Sequence, residues 1–135
     1  MNDVVDPVAL GQPAIRTIPM PADSNPSGDI FGGWLMAQMD LAAGSVALPR
    51  AGGRIVTAAV TSMSFIRPVA VGDEVSIYGR IAKVGNSSIH VDVAAYRRRR
   101  LETVLFKVTA ATFIMVAVGE DGKPRPLPPE EQGKG

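Results

Sequence analysis

The chain has no cysteine, a single histidine and few aromatic residues. Without thiols there are no disulfides, no thiolate zinc or iron–sulfur sites and no cysteine nucleophile. With His90 as its only imidazole, a histidine-rich metal centre is out of reach, and only one residue is available for a Ser-His-Asp arrangement. The G-x-S-x-G elbow of α/β-hydrolases is missing, as is the G-x-x-x-x-G-K-[ST] phosphate loop. Neither sign of charge dominates: fourteen basic against thirteen acidic residues leave +1. That is a poor electrostatic footprint for a nucleic-acid binder. No apolar run approaches the roughly 20 residues that span a bilayer. Asp3 and Asp6 stand where a secretory leader would carry cations. The expectation is a soluble cytoplasmic protein with neither nucleic acid nor membrane as partner.

What is present suffices for one domain. A chain of 135 residues, 46% of them hydrophobic, can bury roughly two-thirds of its unfolded surface. Residues 1–13 read as a lead-in, 14–118 as the folded unit, and 119–135 as an extended tail carrying Pro124, Pro126, Pro128 and Pro129 beside Glu130 and Glu131. Pro126 to Pro129 has PxxP spacing, with a plain tail as the competing reading. Ala14 to Met20 predicts a short strand, and Asp23 to Asp29 is dense turn chemistry. Gly32 to Leu48, rich in Leu, Met, Ala and Gln, predicts a helix with Asp29 as a candidate N-cap and Pro49 as its stop. It is apolar on nearly every side, which predicts enclosure.

Four β-rich runs follow, at about Arg54–Val69, Glu74–Val84, Ser87–Arg98 and Glu102–Val118. Gly85-Asn86 predicts a two-residue hairpin turn with glycine at positive φ. The last run is apolar on both faces, as a central strand would be. The order β–α–ββββ predicts an α+β fold, a curved antiparallel sheet of five to six strands wrapped around one long central helix. Its edges are then covered most cheaply by self-association. Periodicity alone fits other α+β arrangements as well.

Asp40 is the only carboxylate on that helix, and no basic residue lies within one or two turns of it. A carboxylate in apolar surroundings has its pKa raised by desolvation, which suits a general base or nucleophile near neutral pH. The alternative is a partly solvated Asp satisfied by hydroxyls or backbone amides. Gly32 and Gly33 open the helix, where amides lack intrahelical acceptors and the aligned dipoles favour negative charge. A thinly covered backbone there suits a developing oxyanion; the bland reading is a helix start in a tight corner. Gly33 and Asp40 are two helical turns apart, which predicts a shared face with room for a reacting group.

The stretch Met20-Pro21-Ala22-Asp23-Ser24-Asn25-Pro26-Ser27-Gly28-Asp29-Ile30-Phe31-Gly32-Gly33-Trp34-Leu35-Met36-Ala37-Gln38-Met39-Asp40 resembles the signature of YciA-type bacterial acyl-CoA thioesterases of the hotdog superfamily. Val60-Thr61-Ser62-Met63-Ser64-Phe65-Ile66-Arg67-Pro68-Val69-Ala70-Val71-Gly72-Asp73 and Lys83-Val84-Gly85-Asn86-Ser87-Ser88 continue it, so the likeness runs from about Arg16 to Pro128. It implies hydrolysis of acyl-CoA to a free acid and CoA, with no cofactor beyond the CoA of the substrate. It implies that Asp40 is the catalytic base or nucleophile and that Asn25 helps hold water or thioester across a dimer interface. Gly32 and Gly33 match the oxyanion site. Ser64, Arg67, Lys83, Gly85, Ser87 and Ser88 match segments near CoA. The family also implies a homodimer assembled into a hexamer, a trimer of dimers with sites built from two chains.

Two departures bear on the grip of the nucleotide and the choice of acyl group. The loop after Tyr96, Arg97-Arg98-Arg99-Arg100-Leu101-Glu102, is short for the family, and Ser64 stands where its pattern has asparagine. Arg97 and Arg98 of this run are candidates to hold CoA phosphates, since guanidinium pairs bidentately with phosphate oxygens; a solvated hairpin tip is the competing reading. Trp34 reads as core or as acyl-pocket wall. Two rival functions remain in view: a non-catalytic acyl-CoA-binding or sensing module, and an enoyl-CoA hydratase or dehydratase. The second would want a histidine beside its carboxylate, and His90 falls on a predicted strand instead.

Overall fold

The computed structural model describes residues 4–130; Asp3 and the last five residues of the tail, Glu131 among them, lie outside the described residues. The elements run β1 (Val4–Val5), α1 (Pro7–Leu10), β2 (Ile15–Thr17), a 3₁₀ turn (Pro21–Asp23), α2 (Gly32–Ala51), β3 (Ile55–Val60), β4 (Glu74–Val84), β5 (Ser88–Arg98) and β6 (Leu105–Ala117). The six strands form one antiparallel sheet in the order β1-β6-β5-β4-β2, with β3 also paired to β6. The α+β expectation of one long helix against a curved sheet holds. β6 is central, as its doubly apolar sequence predicts: β5 lies along one edge, and β1 and β3 share the other.

Alternation sets the two faces of the sheet. On β5, Ile89, Val91, Val93 and Ala95 point into the core, where α2 contributes Leu35, Met39, Ala42, Ala43, Ala47 and Ala51. These helical positions recur every three to four residues, so α2 buries one stripe. The expected all-round enclosure is not met within one chain: Met36, Leu41 and Leu48 are 40%, 62% and 50% exposed. Both helix-end expectations also change. Phe31, not Asp29, is the N-cap, and it caps without a side-chain hydrogen bond. The Asp29 amide is instead held by Asn25 Oδ1 at 3.1 Å. At the other end the helix continues through Pro49 and stops at Gly52, whose left-handed φ of 67° lets its N–H reach Leu48 O at 3.0 Å. Proline in the last turn removes one donor but leaves the preceding turns intact, so its breaking effect is small there.

The run predicted as a strand over Arg54–Val69 is one only to Val60. A register shift between Thr57 and Ala59 bends β3. Residues 61–69 then follow β6 irregularly, tied by Ile66 N–H to Val108 O at 2.8 Å and by Thr109 Oγ1 to Ser64 O at 2.8 Å. The β4–β5 connection also differs from expectation. It spans Gly85, Asn86 and Ser87, and Gly85 is not among the positive-φ glycines. A Cβ there would stand 2.6 Å from Ser88 Oγ, so a side chain at this position would turn that hydroxyl aside. The Pro-rich segment is bound down as far as it is described. Leu127 packs on the core, Arg50 Nη1 donates to Pro128 O at 2.6 Å, and Arg125 Nη2 donates to Ala51 O at 3.0 Å, giving the end of α2 a cationic cap. The PxxP residues Pro126 to Pro129 therefore sit on a strap across the end of the helix.

Candidate active site

The segment before α2 is shaped by one side chain. Asn25 Oδ1 accepts from Ser27 N–H at 2.9 Å and Asp29 N–H at 3.1 Å, and Asn25 N–H donates to Asp29 O at 2.6 Å. This Asx-type turn, closed by Gly28 at φ 91°, explains the density of Asn, Pro, Ser and Gly in the sequence. It leads into Ile30, which is buried and bonded through its N–H to Val69 O at 2.9 Å, and so fixes where α2 begins.

A cavity of about 420 Å³ lies at this point, lined by Asn25, Gly32, Phe65 and Arg67 together with Ile30, Leu35 and Val108 from the core. Gly32 and Gly33 are the first two residues of the helix, and among the described residues neither amide has an acceptor. A Cβ on Gly33 would meet nothing within 4 Å, whereas one on Gly32 would sit 3.4 Å from the Phe65 ring. The donor end of the helix is thus open beside Gly33 and walled by Phe65 beside Gly32.

Asp40 does not line this cavity. It lies about 12 Å further along α2 at 1.5 Å per residue. Its carboxylate is half-buried against β3, where Thr57 Oγ1 donates to Asp40 Oδ1 at 2.5 Å. The same hydroxyl lies 3.5 Å from Met115 Sδ, so its position is fixed from two sides. Within one chain, therefore, Asp40 and the Gly32-Gly33 amides do not face the same cavity. Residues beside Asp40 on its outward side, Met36, Ala37 and Leu41, are exposed, as is the neighbouring edge of β3 with Val56 and Val60. Sequence reasoning missed Thr57. Its signal was available: alternation from Ile55 turns Thr57 toward the helix, as the one hydroxyl on that face of a strand otherwise made of Val, Ile and Ala.

The remaining predicted residues divide into separate places. Arg67 reaches the cavity and donates to Lys107 O at 2.8 Å. Ser64 is exposed and outside the cavity, offering its carbonyl to Thr109. Lys83, Gly85, Ser87 and Ser88 form the β4–β5 hairpin, which borders the far, C-terminal end of α2 through Leu127 N–H bonded to Asn86 O. Arg97 and Arg98 belong to β5 rather than to a loop. Arg97 turns inward, paired across strands with Val75 and Phe106, while Arg98 turns to the other face with Glu74 at 3.2 Å and Glu102 O at 3.1 Å. Arg99 pairs with Asp73 at 3.3 Å. Trp34 packs against the core outside the cavity. His90 alternates with buried Ile89 and Val91, which puts it on the sheet face away from α2 and far from any carboxylate-histidine partnership with Asp40.

One long helix lying against a six-stranded antiparallel sheet is the architecture this chain shares with hotdog-fold thioesterases. The chain belongs to the thioesterase superfamily, whose family model matches residues 27–104. Within it the chain is 47% identical over 127 residues to the acyl-CoA thioester hydrolase YciA of Salmonella typhimurium, covering 92% of this chain and 96% of that one. It superposes on a hexameric broad-specificity acyl-coenzyme A thioesterase, solved as an aspartate-to-alanine mutant, with a TM-score of 0.85 and 43% identity over 91% of each chain. An acyl-CoA hydrolase of Staphylococcus aureus, solved as an asparagine-to-alanine mutant with coenzyme A, superposes with a TM-score of 0.78 and 28% identity over 84% of this chain and 68% of that one. That enzyme was also solved as an aspartate-to-alanine mutant, and its two mutated residues are separated by the same interval as Asn25 and Asp40.

Proposed function

We propose that this protein hydrolyses acyl-CoA thioesters to a free acid and CoA, at sites built from two chains and without a cofactor. The observation that carries this reading is the pair of acceptor-free amides at Gly32 and Gly33 beside a cavity that also holds Asn25. The thioester carbonyl oxygen rests on these amides, where negative charge develops as water attacks; one such donor is worth about 3 kcal/mol in the transition state. Asn25, whose Oδ1 is engaged by its own turn, presents its side-chain amide as a donor toward the same carbonyl or the water. Asp40 takes the proton from the attacking water and passes it to the departing thiolate. Its Thr57 hydrogen bond steadies one carboxylate oxygen and leaves the other for the water.

Asp40 lies too far along its own helix to serve the cavity at that helix's start, so the base comes from the partner. A two-fold axis beside the exposed edge of β3 supplies it, bringing each Asp40 to the other chain's Gly32 and covering Leu41, Val56 and Val60. The interval between Asn25 and Asp40 shared with the staphylococcal mutants supports both assignments. Three such dimers form a hexamer, the state described for the superposed broad-specificity thioesterase.

The test is a panel of acyl-CoAs of increasing chain length, with released thiol followed by a chromogenic disulfide. Saturable thiol release from at least one member is expected. Tight acyl-CoA binding with no thiol released from any member would instead make the protein a binding module.

A further inference from the structure

The run Arg97-Arg98-Arg99-Arg100 is divided by the fold into residues with different fates. Arg98 is neutralised by Glu74 and Arg99 by Asp73, and Arg100 is exposed in the turn. Arg97 alone points to the inner face, half-buried, with its guanidinium carbon 5.3 Å from the centre of the Phe106 ring. Its Nε is buried with no hydrogen-bond partner, and no carboxylate stands in ion-pair range of it among the described residues. Arg67, which lines the cavity at the start of α2, lies over the same ring at 5.4 Å.

Stacking on an aromatic face holds a guanidinium in place and leaves its edge donors for a ligand. Burial, then the charge of Arg99, pull the Arg97 guanidinium below its ordinary pKa; Asp73 and Glu102 oppose this, and Arg67 adds to it. An anion placed here relieves both the desolvation and the like-charge crowding. The occupant must therefore be negatively charged, meet the donors of Arg97, and lie beside Arg67 at the edge of the cavity.

We infer that Arg97, with Arg67 beside it over Phe106, seats a phosphate group at the nucleotide end of the thioester substrate. This rests on the proposed acyl-CoA reading and assigns which cations of this chain hold the charged end. The Arg98 and Arg99 pairs brace the strand end that presents Arg97.

The test compares one acyl group carried on CoA, on 3′-dephospho-CoA and on N-acetylcysteamine, which has no nucleotide. Charge-assisted hydrogen bonds of about 1.5–3 kcal/mol correspond to roughly a tenfold to hundredfold change. In Arg97→Gln the KM for acyl-CoA is expected to rise by that factor with little change in kcat, and the wild-type preference for CoA over N-acetylcysteamine to fall by the same factor. Arg97→Lys should recover part of it. A defect that persists with the dephospho substrate assigns the site to the diphosphate; one that disappears assigns it to the 3′-phosphate. An unchanged KM for acyl-CoA, or equal losses on the CoA and N-acetylcysteamine substrates, overturns the inference. Failure of the underlying reading looks different: wild-type protein would then release thiol from none of the three.

Discussion

Asp40→Asn is expected to lower turnover of acyl-CoA by about two to four decades, the usual contribution of a positioned general base. KM should stay near the wild-type value, because the carboxylate acts on water and not on the nucleotide. Asparagine matches aspartate in shape and keeps an oxygen that accepts from Thr57 Oγ1. Stability should therefore change by less than about 1 kcal/mol, as for a half-exposed isosteric change. Rates from released thiol and melting curves for the same samples check both parts. Retained turnover would assign Asp40 a merely structural bond to β3.

The largest expected effect on stability is at the centre of the sheet. Phe113 is 1% exposed, faces Val91 across β5 and Val60 across β3, and belongs to the cluster under α2. Phe113→Ala removes a buried ring from a site gripped by strands on both sides, where collapse around the gap is restricted. A loss of about 3–5 kcal/mol is expected, a large part of the roughly 5–15 kcal/mol that holds a typical domain together. Because assembly adds stability by mass action, wild type and variant must be unfolded in denaturant at one protein concentration. A loss below about 1 kcal/mol would mean that Phe113 is not locked in the core as described.

Much of this fold was legible because it rests on local rules. The alternation through Ile89, Val91 and Val93, the doubly apolar run ending at Ala117 and the helix-forming composition after Gly32 each survive in the structure. Expectations failed where tertiary contacts decide. Pro49 did not stop α2, because a proline in the last turn costs only donors already near the helix end, and Gly52 provides the exit. Gly85 does not take the positive φ that a two-residue turn would need, because the connection is three residues long. The strand predicted beyond Val60 gave way to an irregular stretch tied by threonine hydroxyls, which compete with a backbone ladder.

The site was legible in composition but not in arrangement. Helical spacing correctly put Gly33 and Asp40 on one side of α2, yet two turns of rise keep the carboxylate away from the cavity at Gly32. The arginine run could not be resolved from sequence, since only strand register separates inward Arg97 from outward Arg98. The exposed apolar residues of α2 and β3 were hidden in the sequence for a related reason. A helix apolar on most sides reads as enclosed whether its cover comes from its own chain or from a second copy.

The most direct measurement of the two-chain site uses hybrids. Asp40→Asn and Asn25→Ala chains carrying different tags are unfolded together, co-assembled, purified through both tags and assayed for thiol release beside each parent. If the base of one chain serves the asparagine and amides of the other, each hybrid dimer holds one intact site of two. Random pairing makes about half the dimers of a mixed hexamer hybrids, so activity should return to about a quarter of the wild-type value per hexamer. Hybrids as inactive as their parents would place Asp40 and Asn25 in the same one-chain site and contradict this account.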